Sequence, residues 1–367
     1  VIMVVIKYRE IIVMVLLLHH GGHMSKVKGY PLIDCFRIIA AILVVTIHTS
    51  PLDTISPTLD FYLTRGLGRI AVPFFFITTA YFYFLNPSKK RLYKIIKQTL
   101  LIYLAAIIIY LPLNLYNHYF NQSNLIYEII KDVLFDGTFY HLWYLPATVL
   151  GLIIVAVLDK RVSLLTSFSI VVLLYLIGLG GDSYYGLIHP YCKWGYDLIF
   201  LISDYTRNGI FFAPLFIWIG KLLAVKQFNF SLRVIVISTI LAISLMFIEI
   251  SLLKGYQDAA DYVFVRHDSM NILLPVVMFW LYQGLLRISG KRISKCKDLS
   301  LAIYLFHPLM IVVVRGIGKL LKCDHLVVDP LIQFISVLII TVLFSEILLK
   351  GKEKYGEYSH KSQLDRS

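Results

Sequence analysis

The stretch DCFRIIAAILVVTIHTSP, Asp34 to Pro51, sets an arginine and a histidine inside an otherwise apolar run. Burying a guanidinium in a lipid-facing helix costs about 2.5–3.5 kcal/mol on insertion scales, so Arg37 needs a partner or a task. Arg37 and His48 are eleven residues apart. At about 100° and 1.5 Å per residue, a helix brings them to within about 20° of one face and about 16 Å apart along its axis. The pair then lines one stripe, with His48 toward the outer and Arg37 toward the inner part of a bilayer core. A neutral imidazole there can accept a hydroxyl proton, and a guanidinium can hold a phosphate or a carboxylate. Asp34, three residues before Arg37, is within reach as that carboxylate. The plainer reading is a snorkelling arginine and a packing histidine; the functional one is a polar seam facing a cavity in a bundle.

Other short stretches set polar groups at the ends of apolar runs. YHLWYLPA carries His141 and Trp143, either an interfacial aromatic belt or part of a site. TRNGIFFAPLF carries Arg207 and Asn208, and VRHDSM carries Arg266, His267, Asp268 and Ser269. Arg207 and Asn208 could make a helix-start cap with a loop ion pair, and Asp268 or Ser269 a simple helix cap. SLAIYLFHPLM places His307 before Pro308, whose missing donor kinks a helix. A mid-membrane histidine needs a polar partner, so packing and function stand level for it. No group of cysteines or histidines has metal-ligand spacing, and no metal site is expected.

These residues need a scaffold, and composition says which. Of 367 residues 58% are hydrophobic and 14% aromatic, and the mean hydropathy is +0.76. An ordinary soluble domain does not reach such values, so the chain reads as an all-α, polytopic integral membrane bundle. Apolar runs suggest about ten transmembrane helices: 32–49, 66–85, 95–115, 141–158, 163–180, 207–224, 232–253, 270–287, 299–316 and 330–349. Lysine and arginine gather in alternate loops, as in KKRLYKIIK and RISGKRISKCK. The other loops are neutral or acidic, with Asp53, Asp60, Glu128, Asp132, Asp136, Asp182, Asp197, Asp204, Asp258, Asp261 and Asp268. The positive-inside rule then places both termini in the cytoplasm. The formal charge of +13 belongs to the inner membrane surface, and no nucleic-acid partner is implied. Cys192 and Cys323 fall on the expected outer side, where a disulfide is possible but nothing else supports one.

Residues 1–23 do not fit this plan, being two short apolar pieces broken by Lys7, Arg9 and Glu10. They read as an upstream extension ahead of a start at Met24, with an interfacial helix as the competing reading. Residues 24–350 then form the membrane domain, and 351–367 a polar, basic cytoplasmic linker.

The motifs FRIIAAILVVTIH, VPFFFITTAYF, KKRLYKIIK, HLWYL, RNGIFF and LAIYLFHPLM together resemble the acyltransferase 3 family of integral membrane proteins, from about Pro31 to Phe344. That family carries an arginine, ten residues, then a histidine in its first helix, here Arg37 and His48. Where the family usually has a Ser-Gly or Thr-Gly pair after the phenylalanines, this chain has Thr78 and Thr79, a departure bearing on close helix packing. LYLIGLGGDSYYGLI and HDSM…LLPVVMFW are further similar to the membrane half of serine racemases from vancomycin-resistant bacteria. In those proteins a cytoplasmic racemase domain using pyridoxal phosphate is covalently linked after the membrane domain. The tail here stops before any such barrel, so the racemase chemistry and its cofactor are expected outside this chain.

The resemblance implies two functions. The first is acyl transfer from cytoplasmic acyl-CoA to an extracytoplasmic hydroxyl acceptor, with His48 and Arg37 as the catalytic pair. The second is handling or import of L-serine for the linked racemase. A zwitterion needs a cation for its carboxylate and an acceptor for its ammonium, and Arg207 with Asp182 or Asp268 supplies both signs, with His141 and His307 as further substrate contacts. No inverted repeat is visible, which weighs against a transporter. A membrane anchor without other function is the third reading, and the cost of the buried arginine argues against it.

Overall fold

The structure, a computed structural model, describes residues 29–364, with side chains as far as residue 351. The expected extension at 1–23 lies outside the described residues. In chain order the helices are α1 (Pro31–Thr49), α2 (Pro57–Phe61), α3 (Ala71–Phe84), α4 (Lys89–Tyr116), α5 (Leu125–Lys131), α6 (Tyr144–Arg161) and α7 (Leu164–Gly180), then α8 (Tyr185–Ile202), α9 (Ala213–Val225), α10 (Leu232–Ala259), α11 (Leu274–Leu285), α12 (Ser294–Leu320), α13 (His325–Val328) and α14 (Pro330–Leu364). The only extended pairing among the described residues is an isolated antiparallel bridge between Gly29 and Gly290. The all-α expectation therefore holds for the described residues.

Local chemistry sets the starts. Pro31 and Pro57 sit in the first turns of α1 and α2, where a missing N–H costs nothing. The hydroxyls of Ser88, Ser163 and Ser231 accept from the backbone N–H three residues on and so cap α4, α7 and α10. A π turn (Tyr62–Gly66) and a 3-10 turn (Leu67–Ile70) join α2 to α3, so 57–84 runs as one span.

Six helical stretches among the described residues are long and apolar enough to cross a bilayer: Pro31–Thr49, Pro57–Phe84, Lys89–Tyr116, Leu232–Ala259, Ser294–Leu320 and Pro330–Gly351. A seventh is counted if α7 and α8, bent by 104° at their junction, form one broken span. The count of about ten is not confirmed, for physical reasons. The runs at 207–224 and 270–287 begin with loop and yield only the 13-residue α9 and the 12-residue α11. The run at 141–158 becomes α6, which ends on Asp159, Lys160 and Arg161. The chain is nonetheless an integral membrane protein by its apolar helices.

The chain divides into two compact units. One holds the described residues up to Thr64, Leu104–Pro112 and the described residues from Ile288; in it α12 packs on α1 and α14, and α14 on α1. The other holds Arg65–Tyr103 and Leu113–Arg287; its principal pairings are α3 on α9 and α10 on α11, with α9 also meeting α6 and α7. The close packing that Thr78 and Thr79 put in question in α3 is achieved from the other side. A Cβ at Gly220 of α9 would stand 2.5 Å from the Ile77 carbonyl oxygen, so that glycine lets the two backbones approach. Thr78 turns its hydroxyl back to the Phe74 carbonyl at 2.7 Å and also receives Tyr282 at 3.2 Å. All four cysteines are free.

Candidate functional site

In the first unit the arginine of the opening motif finds the expected partner. Arg37 Nε lies 3.5 Å from Asp34 Oδ1, and both side chains are buried. Asp34 Oδ2 also accepts the backbone N–H of Ile293 at 2.8 Å. The Gly29–Gly290 bridge holds that loop against the start of α1 at 2.9 Å. A Cβ at Gly29 would stand 2.4 Å from the Gly290 carbonyl oxygen, so only glycine fits there.

At the far end of α1 the ring of His48 stacks on that of His307 from α12, centroids 5.3 Å apart and planes 23° apart. His307 is fully buried, and its Nδ1 lies 3.1 Å from the Ile303 carbonyl and 2.9 Å from that of Tyr304. Carbonyls only accept, so Nδ1 carries the proton and Nε2 is the lone-pair nitrogen. His307 thus joins His48, a pairing that sequence spacing did not reveal because the two lie on different helices.

The second unit gathers the other candidates around the break between α7 and α8. Asp182 sits in that break, fully buried. Its Oδ1 accepts three hydrogen bonds: from Ser183 Oγ at 2.9 Å, Ser269 N at 2.7 Å and Met270 N at 3.0 Å. Its Oδ2, equally buried, has no hydrogen-bond partner. Arg69, from the turn before α3, and Arg207 both lie within electrostatic range of Asp182, and the Nε of each is buried without a partner. Arg207 spreads its guanidinium over the rings of Tyr205 at 4.3 Å and Trp143 at 5.0 Å.

The loop carrying Arg207 is tied down by a carboxylate and an amide. Asp136 accepts from the Asp204 backbone N–H at 2.7 Å and from Ser203 Oγ at 2.7 Å. Asn208 Oδ1 accepts from the N–H groups of Ile210 and Phe211, so Asn208 makes the local cap. Gly137, at φ +82°, permits the turn that brings Trp143 up; a Cβ there would stand 2.4 Å from the Trp143 nitrogen. His141 is buried two residues before Trp143, edge-on to Phe139 at 5.8 Å.

Asp268 has a different place from Asp182. It pairs with Arg65, Nε to Oδ2 3.5 Å, both half exposed at the rim. Neither it nor Ser269 caps α11, which begins at Leu274 and takes its cap from Glu249: the N–H groups of Ile272 and Leu273 donate to that carboxylate at 2.6 and 3.1 Å. His267 completes the group. Its ring lies 4.4 Å from that of Tyr205 and hydrogen-bonds the Asp204 backbone. Its Nε2 is buried without a partner, which leaves Nδ1 as the donor to that carbonyl. Burial, then the charges of Arg207 and Arg266, pushes the His267 pKa down to about 4.

Sequence reading missed Arg69 and passed over His267. Arg69 carries the same signal as Arg37, a guanidinium entering an apolar run, in GLGRIAVPFFF. Chemically, the second cluster offers two cations, one anionic oxygen and one neutral acceptor with buried unused valences, which suits a small zwitterion. The first offers an imidazole pair and a guanidinium–carboxylate pair, which suits proton transfer beside an anionic group.

The comparisons with known proteins agree with the scaffold. An amino-acid racemase of Enterococcus faecalis is 39% identical over 355 residues, covering 94% of this chain but 48% of the relative. A second from the same organism is 36% identical over 353 residues, again covering 48% of its length. A serine/alanine racemase of Enterococcus gallinarum is 35% identical over 348 residues and also 48% covered. The chain thus spans about half the length of the curated relatives it matches. No solved structure matches. The family model described as an acyltransferase domain matches residues 30–350, and the chain belongs to the acyltransferase 3 family.

Proposed function

We propose that this chain binds and handles L-serine for a racemase domain such as its relatives are named for. The observation that carries this reading is the set of buried, unpartnered atoms in one cluster: Asp182 Oδ2, Arg69 Nε, Arg207 Nε and His267 Nε2. Buried polar atoms are normally hydrogen-bonded, and several orphans of both signs in one place point to a ligand. An amino acid supplies the complement, its carboxylate to the arginines and its ammonium to Asp182. The relatives named as amino-acid and serine/alanine racemases, of which the chain spans about half, support serine as that amino acid and a linked racemase as its consumer. With the acidic loops placed outside by the charge pattern, the cluster faces the side from which L-serine arrives, and the role fits vancomycin resistance. The test is uptake of labelled L-serine into proteoliposomes containing this chain alone, run beside an assay of acyl-CoA consumption. Saturable uptake without acyl-CoA consumption is expected; consumption without uptake overturns the reading.

A second reading has its own observation, the stacked His48–His307 pair in a member of the acyltransferase 3 family. There His48 would take the proton of an acceptor hydroxyl as its oxygen attacks the thioester carbonyl of acyl-CoA, the thiolate leaving and recovering a proton. Arg37, held by Asp34, would stabilise negative charge on donor or intermediate. The acyl-CoA arm of the same experiment separates the two.

A further inference from the structure

We infer that His267 reads the side-chain hydroxyl of the bound amino acid, so that this cluster selects L-serine over L-alanine. The inference rests on the serine reading above and adds to it the residue that sets specificity.

Once a zwitterion's carboxylate lies with Arg69 and Arg207, and its ammonium with Asp182 Oδ2, His267 Nε2 is a further buried atom in the cluster without a hydrogen-bond partner. The ring stands between the Asp204 backbone and Tyr205, whose ring centroid lies 4.4 Å from its own. Tyr205 also carries Arg207 on its ring, at 4.3 Å, so the reader of the hydroxyl and the holder of the carboxylate share one support. The loop bearing His267 is fixed by Asp182 itself, whose backbone carbonyl accepts the Arg266 N–H at 3.1 Å and whose Oδ1 accepts those of Ser269 and Met270. Asp182 therefore sets both its own free oxygen and the position of His267.

The kind of group His267 can accept follows from its surroundings. Arg207 and Arg266 both act on the ring by charge. A second ammonium at Nε2 would be repelled by two guanidinium groups; a neutral hydroxyl would not. Because the ring stays neutral near pH 7, Nε2 keeps its lone pair and can only accept, which matches a hydroxyl donor. With L-alanine bound, the buried Nε2 stays unsatisfied, and a site built for a hydroxyl discriminates against the analogue lacking it.

The test is equilibrium binding of labelled L-serine, with L-alanine as competitor, to the full chain in lipid nanodiscs. The wild type should prefer L-serine by about 10- to 100-fold. His267→Phe keeps a ring on Tyr205 without an acceptor; it should bind L-alanine as the wild type does and lose the preference for L-serine. His267→Gln, whose amide oxygen can stand where Nε2 stood, should keep part of the preference. An unchanged preference in His267→Phe, or none in the wild type, overturns the inference and leaves the serine site standing. If His267→Phe binds neither amino acid, His267→Gln decides: retained preference supports the inference, equal binding of the two ligands overturns it. A wild type that binds neither ligand overturns the serine reading and this inference with it.

Discussion

Asp182 divides its work between its two oxygens. Oδ1, with three donors, builds the loop at 266–270; Oδ2, with none, is left for a ligand. Asp182→Asn can keep an oxygen facing the three donors while placing an amide where Oδ2 was. The loop should hold, and L-serine binding should weaken by about 1.5–3 kcal/mol, the worth of a charge-assisted hydrogen bond. Asp182→Ala strands the Ser269 and Met270 amides as well, so its thermal midpoint should fall where that of Asp182→Asn does not; thermal unfolding in detergent with L-serine titration reads both. His267 gives a second test at this scale. Its pKa is pushed down to about 4 by burial and by Arg207 and Arg266, against 6.5 unperturbed. Between about pH 4 and 6.5 the unfolded chain binds that proton and the folded chain does not, so stability falls as pH drops across this window. His267→Gln should flatten that acid limb, measured as thermal midpoint against pH. Legibility differed among these residues for one reason. Asp34 and Arg37 are one helical turn apart, so spacing alone paired them, whereas Asp182, Arg207 and His267 meet only because three loops converge.

Helices were legible where apolar length decided them. The runs at 32–49, 232–253, 299–316 and 330–349 each became one long helix. The runs at 207–224 and 270–287 did not, because their first turns are spent on loops that Asn208 and Glu249 hold open with side-chain hydrogen bonds. A hydropathy window does not see such bonds, so the same loops that shortened the helices hid the site. The turn at 29–34 shows the opposite case, a glycine whose need is steric and invisible in sequence. Gly29→Ala would press a methyl into the Gly290 carbonyl and the Arg292 amide, at 2.4 and 2.6 Å. The cost should be about 1–3 kcal/mol, the usual range for overpacking. Since the same loop bonds Asp34, the Asp34–Arg37 pair should loosen too. A lowered thermal midpoint with L-serine binding unchanged is the expected outcome, because Gly29 belongs to the unit that does not hold the Asp182 cluster.

At the scale of the whole chain, the two functional readings left unranked by sequence call on residues that fall in different units: His48, His307, Arg37 and Asp34 in one, Arg69, Asp182, Arg207 and His267 in the other. No residue is shared between the two sets, which makes the readings separable by substitution. His48→Ala removes an imidazole that hydroxyl activation requires, and general-base catalysis is worth roughly 10² to 10⁴ in rate. Arg207→Ala removes a cation that a zwitterion's carboxylate requires, worth about 1.5–3 kcal/mol of binding. If the chain handles L-serine, Arg207→Ala should weaken binding and uptake, while His48→Ala leaves binding at the wild-type level. If it transfers acyl groups, His48→Ala should abolish acyl-CoA turnover. Both variants are to be measured for L-serine binding, uptake and acyl-CoA turnover in the same liposomes, with folded yield as the control. Wild-type behaviour of both in every assay would overturn the two readings together and leave a membrane anchor. That outcome would also leave the orphaned Asp182 and arginine atoms as buried polar groups with no ligand to satisfy them, a cost folded chains seldom carry.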